Sequence, residues 1–137
     1  MEIDEAREII AKKFYGYRED WTGVDCNGEN NSLILVPPGQ FNDGYTYPPK
    51  GAVSRFYHVP NWHKDSRDFE SLMRELLRAR WTFAFCRDEV IVEKAGIEQG
   101  CVWDWSFPCD FKGQLVIAIA MLIEEEERVI KEEMVAE

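Results

Sequence analysis

The two histidines and the cysteines offer the first candidate chemistry in this sequence. Four residues separate His58 from His63, and Cys26, Cys101 and Cys109 could in principle join them at a metal ion. Zinc sites usually contain paired ligands two to four residues apart, and this chain lacks such a cysteine pair. We therefore favour two loop histidines and expect neither a metal site nor a cofactor. A metal-dependent hydrolase that uses both histidines and nearby carboxylates stays an alternative.

Nucleophilic hydrolysis is also considered. Ser54, Ser66 and Cys109 are available as nucleophiles, and either histidine is available as a base. However, the sequence contains no G-x-S-x-G, no Gly-rich phosphate loop and no H-E-x-x-H. We assign no catalytic residue, and a non-enzymatic function is favoured.

The segment from Phe41 to Trp62 is rich in large rings. Such rings can stack on bases or fill a pocket of a partner protein. The candidate ligand- or partner-binding residues are Phe41, Tyr45, Tyr47, Arg55, Tyr57, His58, Trp62 and His63. The simpler alternative is that these rings pack onto a sheet, because a small domain has few other sources of core.

The negative charge is concentrated at the C-terminal end. The net charge is −10, and residues 124–137 contain seven glutamates against Arg128 and Lys131, a balance of −5. This run is most simply a solvated helix end, although an acidic face could also bind a basic partner. The rest of the chain shows no basic footprint, which argues against direct nucleic-acid binding and favours a host protein as partner.

No apolar run approaches the roughly 20 residues that cross a bilayer. The first residues also lack the basic and apolar parts of a signal peptide. We expect a cytoplasmic protein without membrane contact.

Three helices should position these residues. Apolar residues at helical spacing predict the first helix over Ile3–Tyr15. The second is predicted over Ser66–Arg80, with Asp65 or Ser66 as N-cap. Its apolar stripe comprises Phe69, Leu72, Met73, Leu76 and Leu77. The last helix follows Asp110, with a buried half at Leu115–Ile123 and a charged half at 124–137.

The strands are predicted from alternation and from turn residues. The segment 18–64 is expected to be mostly irregular. The strand candidates are Ser32–Val36, Val53–Val59, Trp81–Cys86, Glu89–Lys94 and Cys101–Phe107, the last following a connection at Gly96–Gly100. The order predicts an α+β fold in one domain, 1–137. A mainly antiparallel sheet of four to five strands would be covered by three helices in an α/β/α-type sandwich.

One stretch resembles a known family. Residues Val59 to Phe69 read VPNWHKDSRDF, and they lead into the second helix and then Trp81. Together with Gly16-Tyr17 after the first helix and the apolar helix Leu115–Ile123, this pattern resembles the phage ABA-sandwich family. The resemblance implies a phage or prophage origin and an α/β sandwich. It implies no activity, because members of that family share no established function.

The leading hypothesis is a non-enzymatic phage accessory protein in the cytoplasm of a bacterial host. It would bind a host macromolecule and inhibit a defence system. The alternative is a small-ligand or nucleotide-binding protein that uses the aromatic segment 41–62. A homodimer is also considered, because Ile123, Ile130 and Met134 extend an apolar line along the last helix.

Overall fold

A computed structural model describes residues 1–21, 33–39, 54–86, 89–102 and 111–136. The chain divides into two units, one formed by Met1–Ile10 with Asn61–Glu137 and one by Ala11–Pro60. The helices are α1 (Ile3–Ile9), a π-helical turn (Ile10–Phe14), α2 (Ser66–Arg78) and α3 (Phe111–Ala136). The strands are β1 (Arg18–Trp21), β2 (Leu33–Val36), β3 (Thr82–Phe85), β4 (Glu89–Lys94) and β5 (Ile97–Val102). The α+β class is confirmed.

The strands form two antiparallel sheets, which corrects the prediction of one sheet with four to five strands. In the described part of the chain, β1 pairs with β2, and β3, β4 and β5 form a separate meander. Part of the reason is that the backbone N–H of Leu35 in β2 donates to the carbonyl of Arg55 at 3.0 Å. A turn segment therefore takes up hydrogen bonding that β2 would otherwise offer to another strand.

The meander agrees with the sequence-based prediction up to its second turn. Strand β4 has the bounds predicted for it, and Phe83 of β3 lies opposite Val92 of β4. The predicted connection Gly96–Gly100 is wrong, because Ala95 and Gly96 alone make the turn and β5 begins at Ile97. Both turn residues have positive φ, 52° and 83°, as a two-residue type I′ hairpin requires.

Helix α2 begins with the predicted cap. Asp65 Oδ1 accepts hydrogen bonds from the backbone N–H groups of Arg67 at 2.8 Å and Asp68 at 3.0 Å. Leu72 and Leu76 are fully buried, but Leu77 is 57% exposed and does not belong to the core stripe as predicted. Successive helical residues differ by about 100° in direction, so Leu77 points away from Leu76.

The first helix covers most of the predicted span but changes type within it. The α-helix ends at Ile9, and Ile10–Phe14 continues as a π-helix. Gly16 follows with a φ of +75°, the left-handed conformation in which helices often end. In α1, Arg7 is buried and its Nη2 donates to Asn61 Oδ1 at 3.3 Å. Burial lowers the pKa of Arg7, while Asp4 acts in the opposite direction.

The unit Ala11–Pro60 contains a strand that the sequence pattern did not indicate. Strand β1 lies within the segment expected to be irregular, and its Glu19 accepts hydrogen bonds from Lys12, at 2.6 Å, and from Arg55. These two hydrogen bonds lower the pKa of Glu19. In β2, Ile34, Leu35 and Val36 are fully buried, so this strand is covered on both faces, because successive side chains point to opposite sides of a sheet.

The predicted strand Val53–Val59 is wrong for its described residues, which form turns. The N–H of Tyr57 donates to the carbonyl of Ser54 at 3.0 Å, and the N–H of Val59 donates to that of Phe56 at 2.9 Å. Ser54 Oγ also accepts from the N–H of Phe56 at 3.2 Å. Local bonds of this kind compete with the ladder of a sheet.

Helix α3 provides much of the core of the other unit. It packs against α1 and against β4 and β5, and its half from Leu115 to Ile123 is largely buried, as predicted. Among the described residues of this unit, Trp62 and Trp81 contribute the largest buried rings. Among the described helices, none is long and apolar enough to cross a membrane.

Candidate functional site

The aromatic segment does not form one describable site. Phe41, Tyr45 and Tyr47 lie outside the residues that the structure describes. Arg55, Tyr57 and His58 belong to the unit Ala11–Pro60, whereas Trp62 and His63 belong to the other. The binding role of this segment therefore stays a prediction.

The described members in the unit Ala11–Pro60 lie on the turns after Ser54. The Tyr57 ring is 58% exposed and makes an edge contact with the His58 ring, with 5.0 Å between centroids. The Arg55 guanidinium binds the Glu19 carboxylate. A phosphate group would have to compete with that carboxylate for Arg55, which weakens this position as a nucleotide contact.

Trp62 and His63 lie in the turn that leads into α2. The Trp62 side chain is only 2% exposed, so this ring contributes to the core and offers no surface to a partner. The turn is closed by the carbonyl of Asn61, which accepts from the N–H groups of Lys64 at 3.1 Å and Asp65 at 2.8 Å. The position of Trp62 therefore agrees better with the alternative in which the ring packs in the core than with a binding role.

The C-terminal half of α3 presents a second candidate. The face that is buried at Ile119 and Ile123 continues along the helix to Ile130 and Met134, because the spacing keeps all four on one side. Ile130 is 48% exposed and Met134 is 74% exposed. The apolar face of α3 therefore extends past the region in which its own unit covers it.

Ion pairs organise the charges on this half of the helix. Arg128 Nε donates to Glu125 Oε2 at 3.1 Å, and its terminal nitrogens bind Glu125 and Glu132. These contacts raise the pKa of Arg128 and lower that of Glu125. Since Arg128 precedes Ile130 by two residues, this cluster lies roughly opposite the apolar face. The cluster was not predicted from the sequence, although acid–base spacings of three and four residues indicate such ion pairs on a helix.

Two glutamates border the exposed apolar face. Glu127 and Glu133 lie three residues before and after Ile130, which places them beside it on the helix surface. Glu126 is engaged elsewhere, because its carboxylate pairs with Lys94 Nζ of β4 at 3.0 Å. We call Glu127, Ile130, Glu133 and Met134 the terminal face of α3. It combines apolar anchors with negative charge at their edges.

An open groove lies on another side of α3 and has a volume of about 420 Å³. Its lining residues are Met1, Gln99, Met121, Glu124, Glu125 and Arg128. Arg128 also lines this groove and binds Glu125, so the charges there are largely balanced and the groove lacks the acidic edge of the terminal face.

No group of three or more potential metal ligands is found within the described ranges. Compared with known proteins, the chain matches no protein-family model, no curated protein and no solved structure. The resemblance to the phage family therefore stays a hypothesis.

Proposed function

We propose that this chain is a non-enzymatic accessory protein of a phage or prophage that binds a basic host protein and thereby inhibits a bacterial defence system. The observation that carries the binding role is the exposure of Ile130 and Met134 between acidic residues on α3. The phage origin and the defence role rest on the sequence resemblance.

The energetics of α3 support a binding role for its terminal half. Short helices without tertiary packing are marginal in water, because most helical stability in proteins comes from a buried apolar face. Beyond Ile123 the described side chains are mainly half-buried or exposed. The Arg128 ion pairs add only a few tenths of a kcal/mol each. A partner that covers Ile130 and Met134 would supply the missing packing.

The charge supports a protein partner over a nucleic acid. The chain has a net charge of −10, and half of it comes from residues 124–137. Such a surface repels phosphate backbones and attracts basic patches, which raises the rate of encounter with a basic protein. An acidic protein of this kind can occupy a surface that nucleic acid would otherwise use.

The test is expression of the full chain in a bacterial host with an active defence system. We expect the chain to raise the plating efficiency of a restricted phage, and not to affect the same phage in a host without that system. Affinity capture from the first host should then recover a basic protein of the defence system. Unchanged restriction across the defence systems tested, with no host protein recovered, would rule the proposal out.

A further inference from the structure

We propose that the partner binds the terminal face of α3 with a basic amphipathic helix, whose apolar side covers Ile130 and Met134 and whose Lys or Arg residues meet Glu127 and Glu133. This inference rests on the proposed function and specifies its surface and the chemistry of its partner. It is the helix-in-groove type of recognition, in which anchors recur once per turn.

The apolar residues of the terminal face have a spacing against which a partner helix can pack. Ile130 and Met134 are one helical turn apart, and both are exposed, Ile130 by about half and Met134 for the most part. Ile130 supplies a branched side chain with few rotamers, whereas Met134 is flexible and adapts to the partner surface. Continuity with the buried residue Ile123 means that a partner helix would extend an existing core.

The charged residues of the terminal face favour a positively charged partner. Glu125 and Glu132 are paired with Arg128 on the far side of the helix, and Glu126 is paired with Lys94. Within the described part of the chain, Glu133 forms no ion pair, and it lies beside Ile130. A basic side chain next to the apolar contact would therefore meet a carboxylate rather than another cation.

A second copy of the chain fits this face poorly. An antiparallel pairing centred on Ile130 places Glu127 of one copy opposite Glu133 of the other. A parallel pairing places each glutamate near its own counterpart. Like charges at such positions oppose association, so the homodimer expected from the apolar line alone is disfavoured against a basic partner.

The experiment uses the full chain and a fluorescently labelled synthetic peptide of about five helical turns, with leucine on one face and lysine on the other. Fluorescence anisotropy measures its affinity. We expect saturable binding that weakens as salt is raised. The double variant I130Q/M134Q should bind at least about tenfold more weakly, and E127Q/E133Q should bind about threefold to tenfold more weakly with a flatter salt dependence.

Matched controls lie on other sides of the same helix. V135Q removes an exposed apolar side chain and E124Q removes an exposed charge, and both should retain affinity within about twofold. A peptide with the same composition in scrambled order, and one with glutamate in place of lysine, should not bind. Circular dichroism of each variant checks that α3 is still formed.

Three results would overturn the inference. They are no saturable binding of the basic peptide, equal binding by I130Q/M134Q and the parent chain, or a concentration-dependent dimer that I130Q/M134Q abolishes in sedimentation. Its failure can be told apart from that of the proposed function. If the parent chain inhibits restriction and I130Q/M134Q inhibits it equally, the function stands and the surface is wrong. If the peptide binds as expected but restriction is unchanged, the surface stands and the defence role is wrong.

Discussion

The Nζ atom of Lys94 on strand β4 lies 3.0 Å from Glu126 Oε2 on helix α3. The same ammonium group lies 5.7 Å from the centroid of the buried Trp81 ring, within the range of a cation–π interaction. The Lys94 ammonium group of strand β4 therefore contacts both helix α3 and a buried ring of the core. The contact is made one turn before Ile130, next to the start of the terminal face.

Replacing Lys94 with Gln should lower the free energy of unfolding by about 0.5–1.5 kcal/mol, because a partly exposed ion pair and a cation–π contact are lost together. Urea unfolding of K94Q, E126Q and the double variant measures their coupling. Lys131→Gln is the control, because Lys131 is exposed and forms no ion pair with a described residue. Additive effects of K94Q and E126Q would show that the ion pair contributes nothing.

Asp65→Ala should lower the free energy of unfolding by about 1 kcal/mol, because two backbone N–H groups at the start of α2 lose their acceptor. Asp65→Asn keeps a side-chain oxygen at the same position and should recover most of that loss. Both are measured by urea unfolding monitored by circular dichroism. Equal destabilisation by Ala and Asn would contradict a capping role.

Ala95→Asn should stabilise the chain by about 0.5–1 kcal/mol. Ala95 has a φ of +52°, a conformation that is costly for alanine and is tolerated by asparagine. The change creates Asn-Gly, the preferred pair for this type of hairpin turn. Thermal unfolding measures the gain. Ala79→Asn is the control, since Ala79 has a φ of −84° and should give no increase in stability.

Glu19→Gln should remove a contribution to stability that depends on pH. The pKa of Glu19 is lowered in the folded chain by hydrogen bonds from Lys12 and Arg55, so the ionised carboxylate stabilises the fold above the ordinary pKa of 4.5. This contribution is lost as the pH falls through the lowered pKa. The parent chain should be more stable than E19Q at pH 7, and the two should converge in acid.

Urea unfolding at a series of pH values measures this difference. Glu5→Gln is the control, because Glu5 is exposed and pairs with no described cation. A constant difference between the parent chain and E19Q from pH 7 to pH 3 would show that ionisation of Glu19 is not the cause.

The features that could be predicted from the sequence depend on neighbours along the chain. The cap at Asp65 and the bounds of β4 follow from local spacing, and both are confirmed. Strand β1 reads Arg-Glu-Asp-Trp, which has no alternation of apolar and polar residues. Its stability comes from β2 and from ion pairs with Lys12 and Arg55, which are distant in sequence or lie outside the strand. Such contacts cannot be predicted from the sequence of the strand itself.

In the candidate site too, some features could be predicted from local spacing and others depend on distant contacts. The apolar line through Ile130 and Met134 was visible from helical spacing, and both residues are exposed in the structure. The burial of Trp62 agrees with the alternative in which the rings of this segment pack into the core. Spacing could not single out Trp62, because the segment contains rings at irregular intervals. Spacing identifies which residues share a helix face, whereas the folded neighbours determine which of those faces stay open.

The packing of α1 against α3 has a consequence for synthesis on the ribosome. These are the first and last elements of the chain, so α1 is made long before its packing partner. At roughly 5–20 residues per second, the chain between them takes about 5–20 s to emerge. During that time α1 lacks the helix against which it packs in the folded chain. The contiguous unit Ala11–Pro60 has its full sequence available early, and we expect it to fold first.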